Sequence, residues 1–303
     1  MSRFLKKAYK MPNIKSAFFV PSSQEKFIAN CTKYSPSLYL LDMEDSVPVA
    51  QKEIARKMCS QAILSINLKK PDIPLYARPN DINSDLFFKD METVLNKTTA
   101  KILKGFSVPK IECVEDMDNV SAYLLHRERE LGISDYTYKV IPWIESSMGI
   151  VNLVDILKAH RNRIEAAAFG GDDYCTDLKI KRTVEEHEMD LPRKLFALYC
   201  NAAQVVPMDT PYLFYKNADG LKEELVRLKQ MGFKGKFAIH PSQVDIINEA
   251  MMIPMSELEY SQCLVSEFEK SMKEGKAAIN FRGIMVDIAA YKRALNIVKE
   301  CSK

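Results

Sequence analysis

The chain has 303 residues, 47% hydrophobic and 27% charged, with 43 basic against 40 acidic side chains and a formal net charge of +3. That balance suits a globular protein of one large or two ordinary domains, and it argues against a dedicated nucleic-acid binder, which gathers basic charge on one face. Seven cysteines without a Cys-x-x-Cys pair exclude a regular disulfide framework or zinc knuckle and point to a reducing compartment.

In chain order, the first stretch, MSRFLKKAYKMPNIKSAFFVP, is basic and carries only a short apolar run, too short for a secretory signal or a membrane span. No acidic residue precedes Glu25, as in organelle transit peptides, but Arg3 is the only arginine there. The cytoplasm is therefore the expected location, with the mitochondrial matrix as the alternative. Apolar runs of strand length then recur: AFFV (17–20), LYLL (38–41), PLYAR (74–78), GFSV (105–108), KVIPWI (139–144), AAAFG (166–170), QVVPM (204–208) and KFAI (236–239). Continuous apolar runs suit strands buried on both faces, as in a parallel sheet.

The spacers read as helices. VAQKEIARKMCSQAI and SMGIVNLVDILKAH are two; in DGLKEELVRLKQMGF, Leu221, Leu225 and Leu228 share one face, Asn217 or Asp219 can cap the start, and Gly232 the end. Eight strands alternating with helices predict an α/β protein with a (β/α)8 TIM barrel over residues 1–255; a doubly wound open sheet is the alternative. Beyond residue 255 the strand signal stops. MSELEYSQCLVSEFEKSMKEGKAA reads as an amphipathic helix, INFRG as a break and MVDIAAYKRALNIVKE as a second helix, predicting a helical C-terminal extension over 256–303.

Barrel enzymes place their chemistry at the carboxyl ends of the strands. There this sequence puts Asp42, Glu44 and Asp45 after the second run, Arg78 at the end of the third, Lys110 after the fourth, Glu145 after the fifth, Gly170-Gly171-Asp172-Asp173 after the sixth and His240 after the eighth. Singly, each reads as an ordinary loop or cap residue. Together they set carboxylates, one arginine and one lysine on one rim. Such a set suits a hard cation such as Mg2+, which takes one or two carboxylates plus water and substrate oxygens; few His or Cys are present to favour zinc. The glycines would let a substrate carboxylate reach backbone N–H groups. On this reading both aspartates face a metal, or one does and the other caps the next helix.

The segments YLLDMEDSVPVAQKEIAR, ARPN, VPKIE, IPWIESSMGIVNL, FGGDDYCTDL, GFKGKFAIHPSQVDIINEAM and GIMVDIAAYKRAL, in that order, resemble the citrate lyase β-subunit-like branch of the HpcH/HpaI aldolase superfamily, and most closely its stand-alone malyl-CoA and citramalyl-CoA lyases. The resemblance runs from about residue 14 to 298. It implies a TIM barrel holding Mg2+, or Mn2+, on Glu145 and Asp173, so that Asp173 rather than Asp172 is the ligand. It implies that Glu44 and Asp45 hold metal-bound waters, that Arg78 contacts a substrate oxygen near the reacting carbon, and that Asp287 is the catalytic acid–base on a C-terminal lid. Gly170, Gly171, Asp172, Lys110 and His240 are the remaining candidate substrate contacts. The implied activity is cleavage or formation of a 3-hydroxyacyl-CoA, with acetyl-CoA and a 2-keto acid, pyruvate or glyoxylate, as partners. A citryl lyase subunit acting on an acyl-carrier thioester is the alternative; a class II aldolase on free keto acids or a non-catalytic CoA-binding homologue ranks below it. A homotrimer or hexamer is implied, and neither nucleic acid nor membrane is expected as a partner. One departure is Lys15-Ser16, where the family usually has an Arg-Ser-type pair.

Overall fold

The computed structural model describes residues 11–301, so residues 1–10 of the basic leader lie outside the described residues. The chain divides into two compact units, one ending at Met251 and one beginning at Met252. Among the described residues no helix is long and apolar enough to cross a membrane.

In the first unit, eight parallel strands close into a barrel in sequential order. They are β1 (Ser16–Pro21), β2 (Leu38–Asp42), β3 (Leu75–Arg78), β4 (Leu103–Val108), β5 (Lys139–Ile144), β6 (Ala166–Phe169), β7 (Val206–Asp209) and β8 (Gly235–Ala238). Each apolar run of the sequence is one strand. The helices between and after them are α1 (Glu25–Cys31), α2 (Lys52–Lys69), α3 (Phe87–Val94), α4 (Val114–Glu130), α5 (Ser147–Ala159), α6 (Gly171–Asp177), α7 (Asp190–Ala202), α8 (Ala218–Met231) and α9 (Ser242–Met251). Asn217, not Asp219, caps α8 by accepting from Gly220 N at 3.0 Å, and Gly232 ends it at φ +99°.

Side chains alternate along a strand, and here the two sets form two separate cores. Phe19, Leu40, Tyr76, Ile141, Trp143, Ala168, Met208 and Phe237 form the barrel interior. Their neighbours Phe18, Tyr39, Ala77, Val140, Ile144 and Phe169 pack outward under the helices. The same parity directs Asp42, Arg78 and Glu145 inward at the barrel mouth, two residues beyond Leu40, Tyr76 and Trp143.

Asp209 and Lys236 have the opposite parity and enter the layer between sheet and helices. Burying them would be costly without partners. Arg193 of α7 supplies one, binding Asp209 through Nε at 2.8 Å and Nη2 at 3.0 Å, and Glu224 of α8 at 2.9 Å. Lys236 Nζ meets Asp209 at 2.5 Å and Glu224 at 3.2 Å. Arg193 also binds Glu186 at 2.7 Å, on the segment joining α6 to α7.

The second unit comprises α10 (Met255–Lys273), β9 (Ile279–Phe281), β10 (Ile284–Val286) and α11 (Ile288–Cys301) around its own core of Leu264, Phe268, Phe281, Val286 and Ala294. The extension is therefore not wholly helical. INFRG, read from sequence as a break, carries a strand and the turn of an antiparallel hairpin in which Phe281 pairs with Ile284. Residues 285 and 286, read as the start of the last helix, belong to its second strand.

Arg193→Met, which removes one cation shared by Asp209, Glu186 and Glu224 and leaves Lys236 alone against the buried carboxylates Asp209 and Glu224, is expected to lower stability by about 3–5 kcal/mol in urea unfolding; a loss below about 1 kcal/mol would show that the network contributes little. Burial pushes the Glu186 carboxyl up, but Arg193, a Glu224 hydrogen bond and Arg182 hold it at about 2, below its ordinary 4.5. Its stabilisation is thus present above pH 4.5 and lost as pH falls towards 2. The stability advantage of the natural chain over Glu186→Gln is expected to shrink across that window.

Candidate active site

The parallel register sets Asp42 of β2 directly beside Arg78 of β3. Arg78 grips it with two charge-assisted bonds, Nε to Oδ1 at 2.7 Å and Nη2 to Oδ2 at 2.8 Å. Asp42 also accepts from the backbone N–H groups of Glu44 at 2.9 Å and Ser46 at 3.2 Å, which shapes the acidic turn. Lys52 pins the same turn from α2 by donating to Met43 O at 2.9 Å and Glu44 O at 2.7 Å. Arg78 Nη1 then meets Glu44 Oε2 at 2.8 Å and Asp45 Oδ2 at 3.5 Å. Its guanidinium lies 4.8 Å above the Phe19 ring. Burial opposes the charge on Arg78, but Asp42, Glu44 and Asp45 more than offset that and keep it protonated.

Glu145 is buried at the end of β5, and its Oε1 accepts from the Lys110 N–H at 2.7 Å. Lys110 adopts φ +55° to aim that N–H, an unfavourable region for a residue with a Cβ. Asp173, in the first turn of α6, lines both cavities with Glu145. Burial, then the charges of Asp173 and Glu44, push Glu145 up to about 8. Burial and Asp45 raise Asp173 as well. Burial, with Asp45 and Asp42 adding repulsion, pushes Glu44 up to about 7 against the pull of Arg78.

The glycines serve a different purpose from the one expected. Gly170 N donates to Ile144 O at 3.0 Å and Gly171 N to Thr210 Oγ1 at 3.2 Å, so both N–H groups are already committed. A Cβ on Gly170 would lie 2.5 Å from Glu145 Oε2, and one on Gly171 2.7 Å from Met189 Sδ. The glycines are required because Glu145 and Met189 occupy that space.

A cavity of about 400 Å³ opens on this group, lined by the Phe19 and Trp143 rings, Arg78, Asp42, Asp45, Glu145, Gly170, Gly171, Asp172 and Asp173, with Thr210 and Pro211 on the β7 side. Glu145 and Asp173 also line a second cavity of about 420 Å³, with Lys110, Asp81, Asp116 and Asp177. Lys110 Nζ lies 3.5 Å from Asp81. Asp172 lines only the first cavity and caps nothing; it pairs with Arg182 at 2.9 Å. The helix cap beside Glu145 is Ser146, which accepts from Gly149 N at 3.1 Å. His240 stacks on Tyr215 with ring centroids 4.6 Å apart and meets Ser242 Oγ at 2.8 Å; it is not among the residues lining either cavity. Asp287 belongs to the second unit, where it accepts from Ala289 N and Ala290 N at the start of α11 and is exposed.

Sequence reasoning placed Asp42 on the rim without a role, yet it fixes Arg78. The signal was its position at the end of a wholly apolar strand, in phase with Leu40. Thr210, Arg182 and the Phe19 wall were missed; only Phe19, through strand alternation, carried a usable cue.

Five carboxylates, Asp42, Glu44, Asp45, Glu145 and Asp173, thus converge on Arg78 and Lys110, with Lys52 behind the acidic turn. The Asp173 charge raises the Glu145 carboxyl, and a cation between the two would relieve that repulsion. Among the described residues, no group of three or more His, Cys, Asp or Glu forms a ready metal cage. Two carboxylates with room for waters and substrate oxygens fit Mg2+, which keeps part of its hydration shell, better than zinc.

The family model described as HpcH/HpaI aldolase/citrate lyase matches residues 15–241. The chain is 28% identical over 280 residues to the citrate lyase subunit beta of Escherichia coli (strain K12), covering 92% of this chain and 90% of the relative. It is 26% identical over 296 residues to the mitochondrial citramalyl-CoA lyase of Mus musculus, covering 94% of this chain and 85% of the relative. Its fold matches that of protein CitE from Mycobacterium tuberculosis, solved in complex with magnesium, acetoacetate and coenzyme A, with a TM-score of 0.74 at 20% identity, covering 97% and 100% of the two chains.

Gly170→Ala is expected to dislodge Glu145 and weaken Mn2+ binding at least about tenfold, read by Mn2+ electron paramagnetic resonance, with a folded circular-dichroism spectrum retained. Unchanged Mn2+ affinity would separate Glu145 from any metal role.

Proposed function

The chain belongs to the HpcH/HpaI aldolase/citrate lyase family, and on that premise we propose that it is a Mg2+-dependent carbon–carbon lyase. It would cleave, or form, a 3-hydroxyacyl-CoA such as citramalyl-CoA or malyl-CoA, giving acetyl-CoA and pyruvate or glyoxylate. The observation that carries this reading is the Glu145–Asp173 pair sharing one cavity with a buried Arg78.

Cleavage removes the 3-hydroxyl proton, turns that carbon into the keto-acid carbonyl and moves the C–C electron pair onto the thioester as an enolate, which is then protonated at carbon. Mg2+ held by Glu145 and Asp173, with Mn2+ as the alternative, would supply polarisation of the keto-acid oxygen. Arg78 offers a fixed positive charge to the enolate oxygen, pre-oriented by Asp42 so that no reorganisation is needed. Glu44, pushed up to about 7, has the basicity to receive the hydroxyl proton at neutral pH. Asp287 returns a proton to the α-carbon in cleavage and removes it in condensation. An exposed carboxylate is a weak base for that task, so the second unit must lose water around Asp287 during turnover. The family resemblance supports a homotrimer or hexamer in which one copy's tail serves another copy's site. The N-terminal composition and the unpaired cysteines support a cytoplasmic location, and the mitochondrial relative keeps the matrix as the alternative.

A second reading follows from the match to the Escherichia coli citrate lyase subunit: the same site acting on an acyl-carrier thioester within a larger complex.

Purified protein with Mg2+ is expected to cleave one of citramalyl-CoA, malyl-CoA, β-methylmalyl-CoA or citryl-CoA in an EDTA-sensitive reaction. Asp287→Ala is expected to lower kcat by about 10²–10⁴-fold while leaving Mn2+ affinity unchanged. Failure with every CoA thioester but turnover of a carrier-bound citryl group would establish the second reading. No turnover of either, with Mn2+ bound, would sink both.

A further inference from the structure

Two adjacent aspartates stand beside a site that uses one of them. We propose that Arg182 is a positioning residue that locks Asp172 out of the metal site, leaving Glu145 and Asp173 alone to face the cation. This deepens the metal-site reading above and rests on it.

Asp172 and Asp173 both line the first cavity, but only Asp173 reaches the wall shared with Glu145. Asp172 is held aside by Arg182, whose Nη1 meets Oδ2 at 2.9 Å. The pair is lopsided: the Asp172 side chain is 57% exposed and that of Arg182 only 10%. An ion pair with one end in water contributes little to stability, so folding energy alone does not explain it.

Arg182 is fixed without help from Asp172. It donates through Nε to Glu186 Oε1 at 2.9 Å, again through Nη2 to the same oxygen, and to Pro211 O at 3.3 Å. Glu186 is itself buried, at φ +56°, and its other oxygen is held by Arg193 at 2.7 Å. Arg193 is tied to Asp209 and Glu224 in the layer beneath α7 and α8. The guanidinium is thus anchored in the buried network of the barrel and reaches out to one carboxylate at the cavity edge. A carboxylate on a short side chain, one residue from a ligand, would otherwise compete for a coordination position that the substrate must occupy. Pairing it with Arg182 also cancels a negative charge that would repel an anionic substrate carboxylate.

The test uses Mn2+ alone as probe, with affinity and bound-water number read by water-proton relaxation. Asp172→Asn is expected to leave the Mn2+ Kd within about twofold of the parent, because Asp172 is not a ligand. Arg182→Gln is expected to bind Mn2+ about fivefold more tightly with one bound water fewer, as the freed Asp172 turns to the ion. The double variant Arg182→Gln/Asp172→Asn is expected to return both readings to the parent values. A purely structural role for Arg182 would not be rescued by Asp172→Asn, and that outcome, or an unchanged Arg182→Gln, overturns the proposal. So does a loss of Mn2+ affinity of about tenfold or more in Asp172→Asn, a variant that keeps the Arg182 anchor intact. Asp173→Asn separates the two claims: if it keeps full Mn2+ affinity, the metal-site reading itself falls.

Discussion

The site depends on the register of two neighbouring strands. Asp42 and Arg78 are in-register partners on β2 and β3, each in phase with the barrel interior, so their side chains meet at the mouth with nowhere else to go. A buried pair of this kind gains its energy only if its hydrogen bonds are complete. Here Asp42 receives two from Arg78 and two from backbone N–H groups of the turn that follows it. The ion pair therefore organises the turn, and the turn in turn delivers Glu44 and Asp45 to the remaining face of Arg78. What results is a deliberate excess of negative charge in a partly dry cavity. Burial first, and that excess after it, raise Glu44 and Glu145 far above ordinary carboxylates. The excess is the charge that the proposed Mg2+ would offset.

The second carboxylate group is shaped by the backbone. Glu145 is held from one side by an N–H that Lys110 can present only at positive φ, and from the other by a glycine whose Cβ would overlap it. Strain at one residue holds Oε1 and a missing side chain at another makes room for Oε2, so both carboxylate oxygens are placed by the backbone. Asp173 needs no such device, because the start of α6 sets it, and Arg182 disposes of its neighbour. The doubled aspartate that looks wasteful in the sequence is two groups with different partners.

The legible parts of the molecule were those with strong periodic signals. All eight barrel strands are continuous apolar runs, and residues two steps past an inward-facing apolar residue, such as Glu145 after Trp143, were found by position alone. The hairpin at residues 279–286 was missed because its two-residue turn is Arg282-Gly283, with φ +52° and +83°. The favoured sequences for such a turn begin with Asn, Asp or Gly, so Arg hid the signal. Arg182 was missed because it sits in a charged run that reads as a solvated loop. Its anchor is Glu186, which Arg193 of α7 holds in turn, and the Arg193 and Pro211 O links are ones that no local pattern encodes. Thr210 was invisible for the same reason, since its bond to Gly171 N spans two strands of the closed barrel.

The Glu145–Asp173 pair also divides two unlike cavities. On one side are the Phe19 and Trp143 rings and the Arg78 guanidinium with Asp42, Asp45 and Asp172; on the other are Asp81, Asp116, Asp177 and a lysine paired with Asp81. Both cavities are acidic with one cation each, so what separates them is the apolar wall of Phe19 and Trp143 beside Arg78, a surface that suits the enolate of a thioester better than the second cavity, which no aromatic ring lines. Under the proposed reaction the carbon–carbon bond therefore breaks on the Arg78 side, over the aromatic floor, where apolar walls remove water from the enolate and one fixed guanidinium meets its oxygen. The Lys110 side then keeps the role its charge permits, with Asp81 paired to the Lys110 side chain while the Lys110 backbone N–H holds Glu145 where the proposed metal would bind.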